Sequence, residues 1–200
     1  FAFGPGHAGM FAEEMFYRAG GLAITNPIFS SGVNCEARPI TITTAFEQLP
    51  GYGRVVLDHS PVQRGDTLLI HCVAGRNPIA VEMAERAVEK GIFVIGIINM
   101  DYASKVTSRD PSGKLLQDVC NLVIDTCGDY GDACLTIEGV EAKAGPTSSI
   151  LGSFIADLLT IQLIAALIEA GEEAPVFQSA NVDGGGEYNQ YLLDKYRNRI

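Results

Sequence analysis

The stretch 66–99 constrains the fold more than any other part of the chain. It reads as an apolar run at 67–72, a short turn, an amphipathic segment and a second apolar run at 92–98. Short apolar runs bounded by turns suit buried parallel strands. Pro78 fits the first turn of a helix, with Asn77 as its N-cap. Ile79, Met83, Ala84 and Val88 recur at helical spacing, which leaves Glu82, Glu85, Arg86, Glu89 and Lys90 for the wet face. Gly91 ends the helix and the next strand follows at once. The pattern predicts a right-handed β-α-β crossover. Its turn presents the backbone N–H groups of Gly75, Arg76 and Asn77 at a helix N-terminus, where free donors and the helix dipole attract an anion such as a phosphate.

The start of the chain repeats this plan. A strand at Phe1–Phe3 leads into Pro5-Gly6-His7-Ala8-Gly9, then into an amphipathic helix that Gly20-Gly21 closes. Because the chain opens inside a strand, a preceding segment, such as a helix, is expected before residue 1. A strand is predicted at 22–25, a helix at 43–49, a helix or strand at 54–59, a short helix at 114–119 and a strand at 122–126. The longest helix is predicted at 147–170, and a glycine turn with a final polar helix at 182–200. Strands alternating with helices indicate one domain, residues 1–200, with a mostly parallel sheet covered on both faces. Ligands of such sheets bind beyond the carboxyl ends of the strands, where the turns at 4–9, 72–77 and 145–149 should meet.

Composition narrows the function classes. The net charge of −10 argues against nucleic acid, which needs a basic stripe. The five cysteines, Cys35, Cys72, Cys120, Cys127 and Cys134, form no Cys-x-x-Cys pair. They fit packing thiols in a reducing cytosol, so the protein is expected to be cytoplasmic. A zinc site from the last three lacks a tight ligand pair, and no metal is expected. The helix at 147–170 is apolar nearly all round. As a membrane span it would carry Asp157 and Gln162 into lipid without basic flanks, so a buried core helix or half of a subunit interface is expected, and no membrane.

The run Gly4-Pro5-Gly6-His7-Ala8-Gly9 is one residue short of Gly-x-Gly-x-x-Gly. Asn26-Pro27 stands where a dinucleotide fold needs an acid for the ribose, so no nicotinamide cofactor is expected. No Gly-Lys-Ser/Thr phosphate loop occurs either. A sugar phosphate or other small anion fits better.

Five stretches together carry a resemblance: FGPGHAGMFAEEMFYRAGG, GDTLLIHCVAGRNPIAVEMAERAVEKG, VTSRDPSGK, GPTSSILG and SANVDGGGEYNQYLLDKYR. They resemble the SIS (sugar isomerase) domain, and within it phosphosugar or phosphoheptose isomerase-like proteins. The likeness covers nearly the whole chain. It implies a three-layer α/β/α sandwich with a five-stranded parallel sheet, flavodoxin- or Rossmann-like. It also implies a phosphorylated sugar as ligand, no cofactor, and a homodimer or homotetramer with sites near the subunit interface.

Several positions depart from the family's pattern. Ala8, Cys72, Ala74 and Asn77 stand where SIS turns usually carry serine or threonine, and each lost hydrogen bond to a charged group is worth roughly 1.5–3 kcal/mol. Met10 replaces the histidine of the zinc-binding isomerases, and no histidine lies in the C-terminal helices. Glu14 matches the family's general base, a carboxylate that shuttles a proton between C1 and C2 through an enediol. Glu13 and Glu14 also fit a plain solvated helix face. The expectation is therefore a phosphosugar isomerase with Glu14 as base and His7 assisting. Gly6, Cys72, Gly75, Arg76, Asn77, Thr147 and Ser148 bind the ligand in this reading. The alternatives are a non-catalytic sugar-phosphate sensor, and an etherase-like lyase using Glu14 with Glu82 or Glu85. Asn181, Asp183, Glu187 and Asn189 either close over a neighbouring subunit's pocket or form an ordinary capped turn.

Overall fold

A computed structural model describes residues 1–196; the last four residues of the predicted polar helix lie outside them. The central sheet has four parallel strands in the order β1 (Ala2–Phe3), β2 (Thr67–His71), β3 (Phe93–Ile98) and β4 (Leu122–Asp125). Leu69 lies opposite Ala2 and Ile95, and Ile97 lies opposite Ile124. The helices are α1 (Met10–Met15), α2 (Ile42–Glu47), α3 (Tyr52–Asp58), α4 (Pro78–Glu89), α5 (Met100–Ala103), α6 (Ser148–Glu169) and α7 (Gly185–Tyr196). A small hairpin, β5 (Ala133–Leu135) with β6 (Ala144–Pro146), stands apart from the main sheet.

Side chains alternate across the sheet with the strand period of two. Leu68, Ile70, Val94 and Ile98 point to one face, where Leu57, Ile79 and Met83 complete the larger core. Ala2, Leu69, Ile95 and Ile97 point to the other, against Phe11, Met15 and Ala156 of α1 and α6. Helices cover both faces, giving the three layers expected.

The fifth strand is the first departure. Pro27 makes only an isolated parallel bridge to Ala2, with Ala2 N–H donating to Asn26 O at 2.9 Å and Ile28 N–H to Ala2 O at 2.8 Å. Proline has no N–H to carry a ladder further. The predicted strand at 22–25 instead bends away, and Leu22 bridges to Val176 in the C-terminal segment. The first helix is also short. Phe16 is extended at φ −106° and Tyr17 turns to φ +42°, which lets Phe16 pack edge-on against Phe29 and Tyr17 against Phe177. Of residues 54–59, all but the C-cap His59 resolve as helix within α3, and 114–119 holds a single 3-10 turn, Leu116–Asp118.

Glu82 is not on a wet face. It is 7% exposed, and both carboxylate oxygens accept the Gly51 N–H at 2.7 Å, capping α3 from α4. The long helix α6 is not a buried core helix. Its buried residues are Ser148, Gly152, Ala156 and Thr160, small side chains four apart that let it lie close on α1 and the sheet. Ile155 and Leu159 pack beside them, while Phe154, Leu158, Ile161 and Leu163 face outward with Ile150 and Ile168, which are 71% and 62% exposed. By length and composition it is the one described helix able to cross a membrane.

Candidate active site

A cleft of about 440 Å³ opens at the carboxyl ends of the strands. The first turn supplies Gly6, His7 and Ala8 to its wall, and the second supplies Cys72, Ala74, Arg76 and Asn77. α2 closes one side with Thr43, Thr44 and Glu47; Arg109, Asp132 and Ser148 complete the rim. A larger cavity of about 620 Å³ lies at the opposite, amino ends of the strands, among Met15, Ile24, Leu69, Ile95 and Leu163. It is mainly apolar, so the chemistry belongs to the first.

Local geometry explains the two turns. Gly6 adopts φ +58° and its N–H donates to Val33 O at 2.6 Å. Gly75 adopts φ +61°, and a Cβ there would press within 3.1 Å of Gln117 Oε1, so only glycine suits the position. The second turn is pinned from outside: Leu116 N–H donates to Gly75 O at 2.8 Å and Arg109 N–H to Arg76 O at 2.9 Å. His71 ties the turns together. Its Nδ1–H donates to Ala8 O at 3.2 Å, so Nε2 is the bare nitrogen, buried without a partner among the described residues. Burial holds its pKa down to about 4.

The predicted site residues separate into two groups. Gly6, His7, Cys72, Arg76, Asn77 and Ser148 meet in the cleft. Gly75 shapes the turn behind it. Glu14, on α1, is ion-paired with Arg18 beyond the helix end and is not among the lining residues. Asn77 does stand at the N-cap, but its side chain does not cap α4. It points across the cleft instead: Nδ2 donates to Glu47 Oε2 at 2.8 Å, and Oδ1 accepts from Arg109 Nη1 at 3.1 Å. The Cys72 thiol faces the amides of Gly75, Arg76 and Asn77, yet burial pushes its pKa up to about 12, so it is a neutral thiol rather than a nucleophile.

Thr147 and Ser148 are engaged by the protein itself. Asp132 Oδ1 accepts from Ser148 N–H at 2.7 Å and Thr147 N–H at 3.1 Å, and Oδ2 accepts from Ser148 Oγ at 2.9 Å. The N-terminus of α6 is therefore occupied by a carboxylate of the same chain. The Gly75 N–H already donates to Cys72 O at 3.2 Å, so the donors left for an anion are the Arg76 and Asn77 amides that precede α4, with the Arg76 and Arg109 side chains. The buried Arg76 Nε has no acceptor among the described residues.

Sequence reasoning passed over two residues in this cleft, Glu47 and Asp132. Burial holds the Glu47 carboxyl above the usual carboxylate range, against the opposing pull of the Asn77 hydrogen bond and the Arg109 charge. Neither residue belongs to a spacing that marks it. Glu82, the second carboxylate of the lyase reading, is spent capping α3, and Glu85 pairs with Arg54 and Lys114; neither lines the cleft. Asn189, from the glycine-rich polar cluster, holds the Gln178 backbone in both directions at 2.8 and 2.9 Å. Among the described residues, no three His, Cys, Asp or Glu side chains converge as metal ligands.

Comparison with known proteins agrees with this architecture. A family profile described as the SIS domain matches residues 1–99. The UPF0309 protein of Shouchella clausii is 47% identical over 200 residues, covering 100% of this chain and 81% of its own. The UPF0309 protein of Oceanobacillus iheyensis is 44% identical over the same shares. That of Streptomyces coelicolor is 41% identical over 201 residues, 100% of this chain and 80% of its own. With a parallel α/β sheet, glycine turns converging on one cleft and relatives of this identity along its whole length, the chain belongs to the SIS-domain family, among the UPF0309 proteins.

Proposed function

We propose that the cleft binds a phosphorylated sugar and interconverts its aldose and ketose forms. Membership of the SIS family indicates a phosphosugar ligand. The observation that carries the reading is the convergence of the Arg76 and Asn77 amides with the Arg76 and Arg109 side chains beside a carboxyl group. The phosphate sits over the amides of Arg76 and Asn77, where guanidinium groups supply charge-assisted hydrogen bonds. The sugar carbons then extend towards Gly6 and His7. Glu14, which the likeness to the isomerases suggests as base, is ion-paired with Arg18 and stands outside the cleft wall.

A sugar-phosphate sensor without catalysis is the second reading. It is favoured by Ala8, Cys72 and Ala74 in place of hydroxyls, and by the capture of Ser148 by Asp132. A thermal-shift screen of phosphorylated hexoses, heptoses and amino sugars, with inorganic phosphate as control, tests the ligand. At one hundred times Kd a ligand adds about 2.7 kcal/mol, which raises Tm by roughly 5–11 °C in a domain of this size. Solvent deuterium appearing at C2 of the stabilising sugar separates isomerase from sensor; a panel in which no phosphosugar shifts Tm more than phosphate does would remove both.

The outward face of α6, with Ile150, Phe154, Leu158 and Ile161 in a row of exposed side chains, is assigned in this reading to a homodimer or homotetramer contact. Ser148 at the start of the same helix lines the cleft, so pairing through α6 would bring a second subunit near the ligand.

A further inference from the structure

We propose that Glu47, rather than Glu14, is the catalytic carboxylate of the cleft, a role that rests on the isomerase reading above. Glu47 ends α2, which lies over the gap between the two glycine turns. Its two oxygens differ. Oε2 accepts from Asn77 Nδ2 at 2.8 Å. Asn77 cannot turn its amide around without losing the 3.1 Å bond that its Oδ1 accepts from Arg109. The Arg109–Asn77 pair thus fixes the orientation of the carboxyl group. Oε1 accepts no hydrogen bond from the described residues and faces the first turn: a Cβ added at Gly6 would come within 3.2 Å of it. Glycine at position 6 keeps that space open. A free carboxylate oxygen therefore points into the cleft between the turns proposed to hold the phosphate and the sugar.

Burial raises the affinity of this carboxyl for a proton, and a base poised nearer neutrality is a better proton carrier. The groups facing it are Asn77, Arg109 and the thiols of Cys35 and Cys72, both of which respond to its charge. Glu14 has none of this setting; it lies on α1 beyond the first turn and is held by Arg18, which follows that helix.

In the step this geometry allows, Oε1 removes the proton from C2 of the aldose. The C2–H bonding pair becomes the C1–C2 double bond of the enediol, and the C1 carbonyl oxygen gains a proton from His7. Glu47 then returns its proton to C1, while the C2 hydroxyl gives a proton back to His7 and becomes the ketose carbonyl. Protons and electrons balance, and no oxidant or co-reactant is needed.

The experiment compares wild type, Glu47→Gln, Glu47→Asp and Glu14→Gln with whichever phosphosugar of the panel stabilises the wild type. It reads solvent deuterium incorporation at C2 beside the ligand-induced Tm shift. The expected result is a fall of about 10²–10⁴-fold in exchange for Glu47→Gln, with its Tm shift kept. Glu47→Asp, which retains the carboxylate, keeps part of the exchange and reports on folding. Glu14→Gln stays within a few-fold of wild type. Exchange that survives in Glu47→Gln but disappears in Glu14→Gln overturns the inference and leaves the isomerase reading standing. Loss of the Tm shift in a folded Glu47→Gln protein also overturns it, by making Glu47 a binding group. No exchange by the wild type with any phosphosugar overturns the isomerase reading and this inference with it.

Discussion

Asp132 offers the sharpest test of how the cleft is built. It sits at φ +71°, directly after Gly131, in the turn that leads into β5. From there its carboxylate caps α6, a helix whose own N-cap residue, Thr147, makes no side-chain cap. Replacing Asp132 by alanine removes two stabilising effects and adds one cost. The cap is worth about 0.5–2 kcal/mol. The negative charge at a helix N-terminus adds about 0.3–1 kcal/mol. A Cβ without a compensating polar group in the left-handed region costs about 1–2 kcal/mol. Together they predict a loss of roughly 2–5 kcal/mol, which lowers Tm by about 4–20 °C. Asparagine keeps one carbonyl oxygen for the two amides and tolerates the left-handed backbone, so Asp132→Asn should lose about 1 kcal/mol or less. Asp132→Gly removes the cap without the strain and should fall between. Urea denaturation with an unchanged m-value measures the series. An alanine variant as stable as wild type, or a glycine variant no better than alanine, refutes the cap and the strain respectively. The same series reads the cleft: Asp132→Asn removes a negative charge from its wall, so inorganic phosphate should stabilise that variant more than wild type.

Three further outcomes follow from the structure. His71 is buried as a neutral imidazole with its pKa held down to about 4 from 6.5, so the unfolded chain takes up its proton first as pH falls. Its contribution is complete above pH 6.5 and is lost on the way to pH 4, up to about 3 kcal/mol. The raised carboxyls of Glu47 and Glu82 act in the opposite sense, gaining stability as pH falls. The His71 share is therefore read as the difference between wild type and His71→Asn across that window, and parallel curves would disprove it. Cys127 is exposed, whereas burial pushes Cys72 and Cys120 up to about 12. A disulfide reagent at pH 8 should label Cys127 first and those two only on unfolding; early labelling of Cys72 would contradict the buried thiol. Under the proposed pairing through α6, Phe154→Arg on its outer face should lower the mass seen by light scattering without lowering Tm by more than a few degrees, and an unchanged mass would remove that proposal.

The strand-helix-strand unit at 66–99 was legible because every signal in it is local: apolar runs, Pro78 at the helix start, Gly91 at its end. What stayed hidden depends on partners far away in sequence. Glu82 occupies a helix position that periodicity assigns to water, yet a cap on Gly51, 31 residues earlier, draws it inside. Asn77 looks like an N-cap by position, but Glu47, 30 residues earlier, and Arg109, 32 later, claim its side chain. Asp132 reaches residues 15 and 16 further on. Each is a polar group whose partner no period of 2 or 3.6 can reveal. The helix α6 is a different case. Its even apolarity conceals which face is inside, since the hydrophobic residues carry no direction. The small residues Ser148, Gly152, Ala156 and Thr160 do carry one. A Cβ at Gly152 would approach His71 Cε1 to 2.7 Å, so the close-packed side of this helix is the side where bulk is missing. Read that way, Ile155 and Leu159 beside these positions pack inward, Ile150, Phe154, Leu158 and Ile161 are left facing outward, and the exposed apolar surface follows from the same four positions that seat the helix on the sheet.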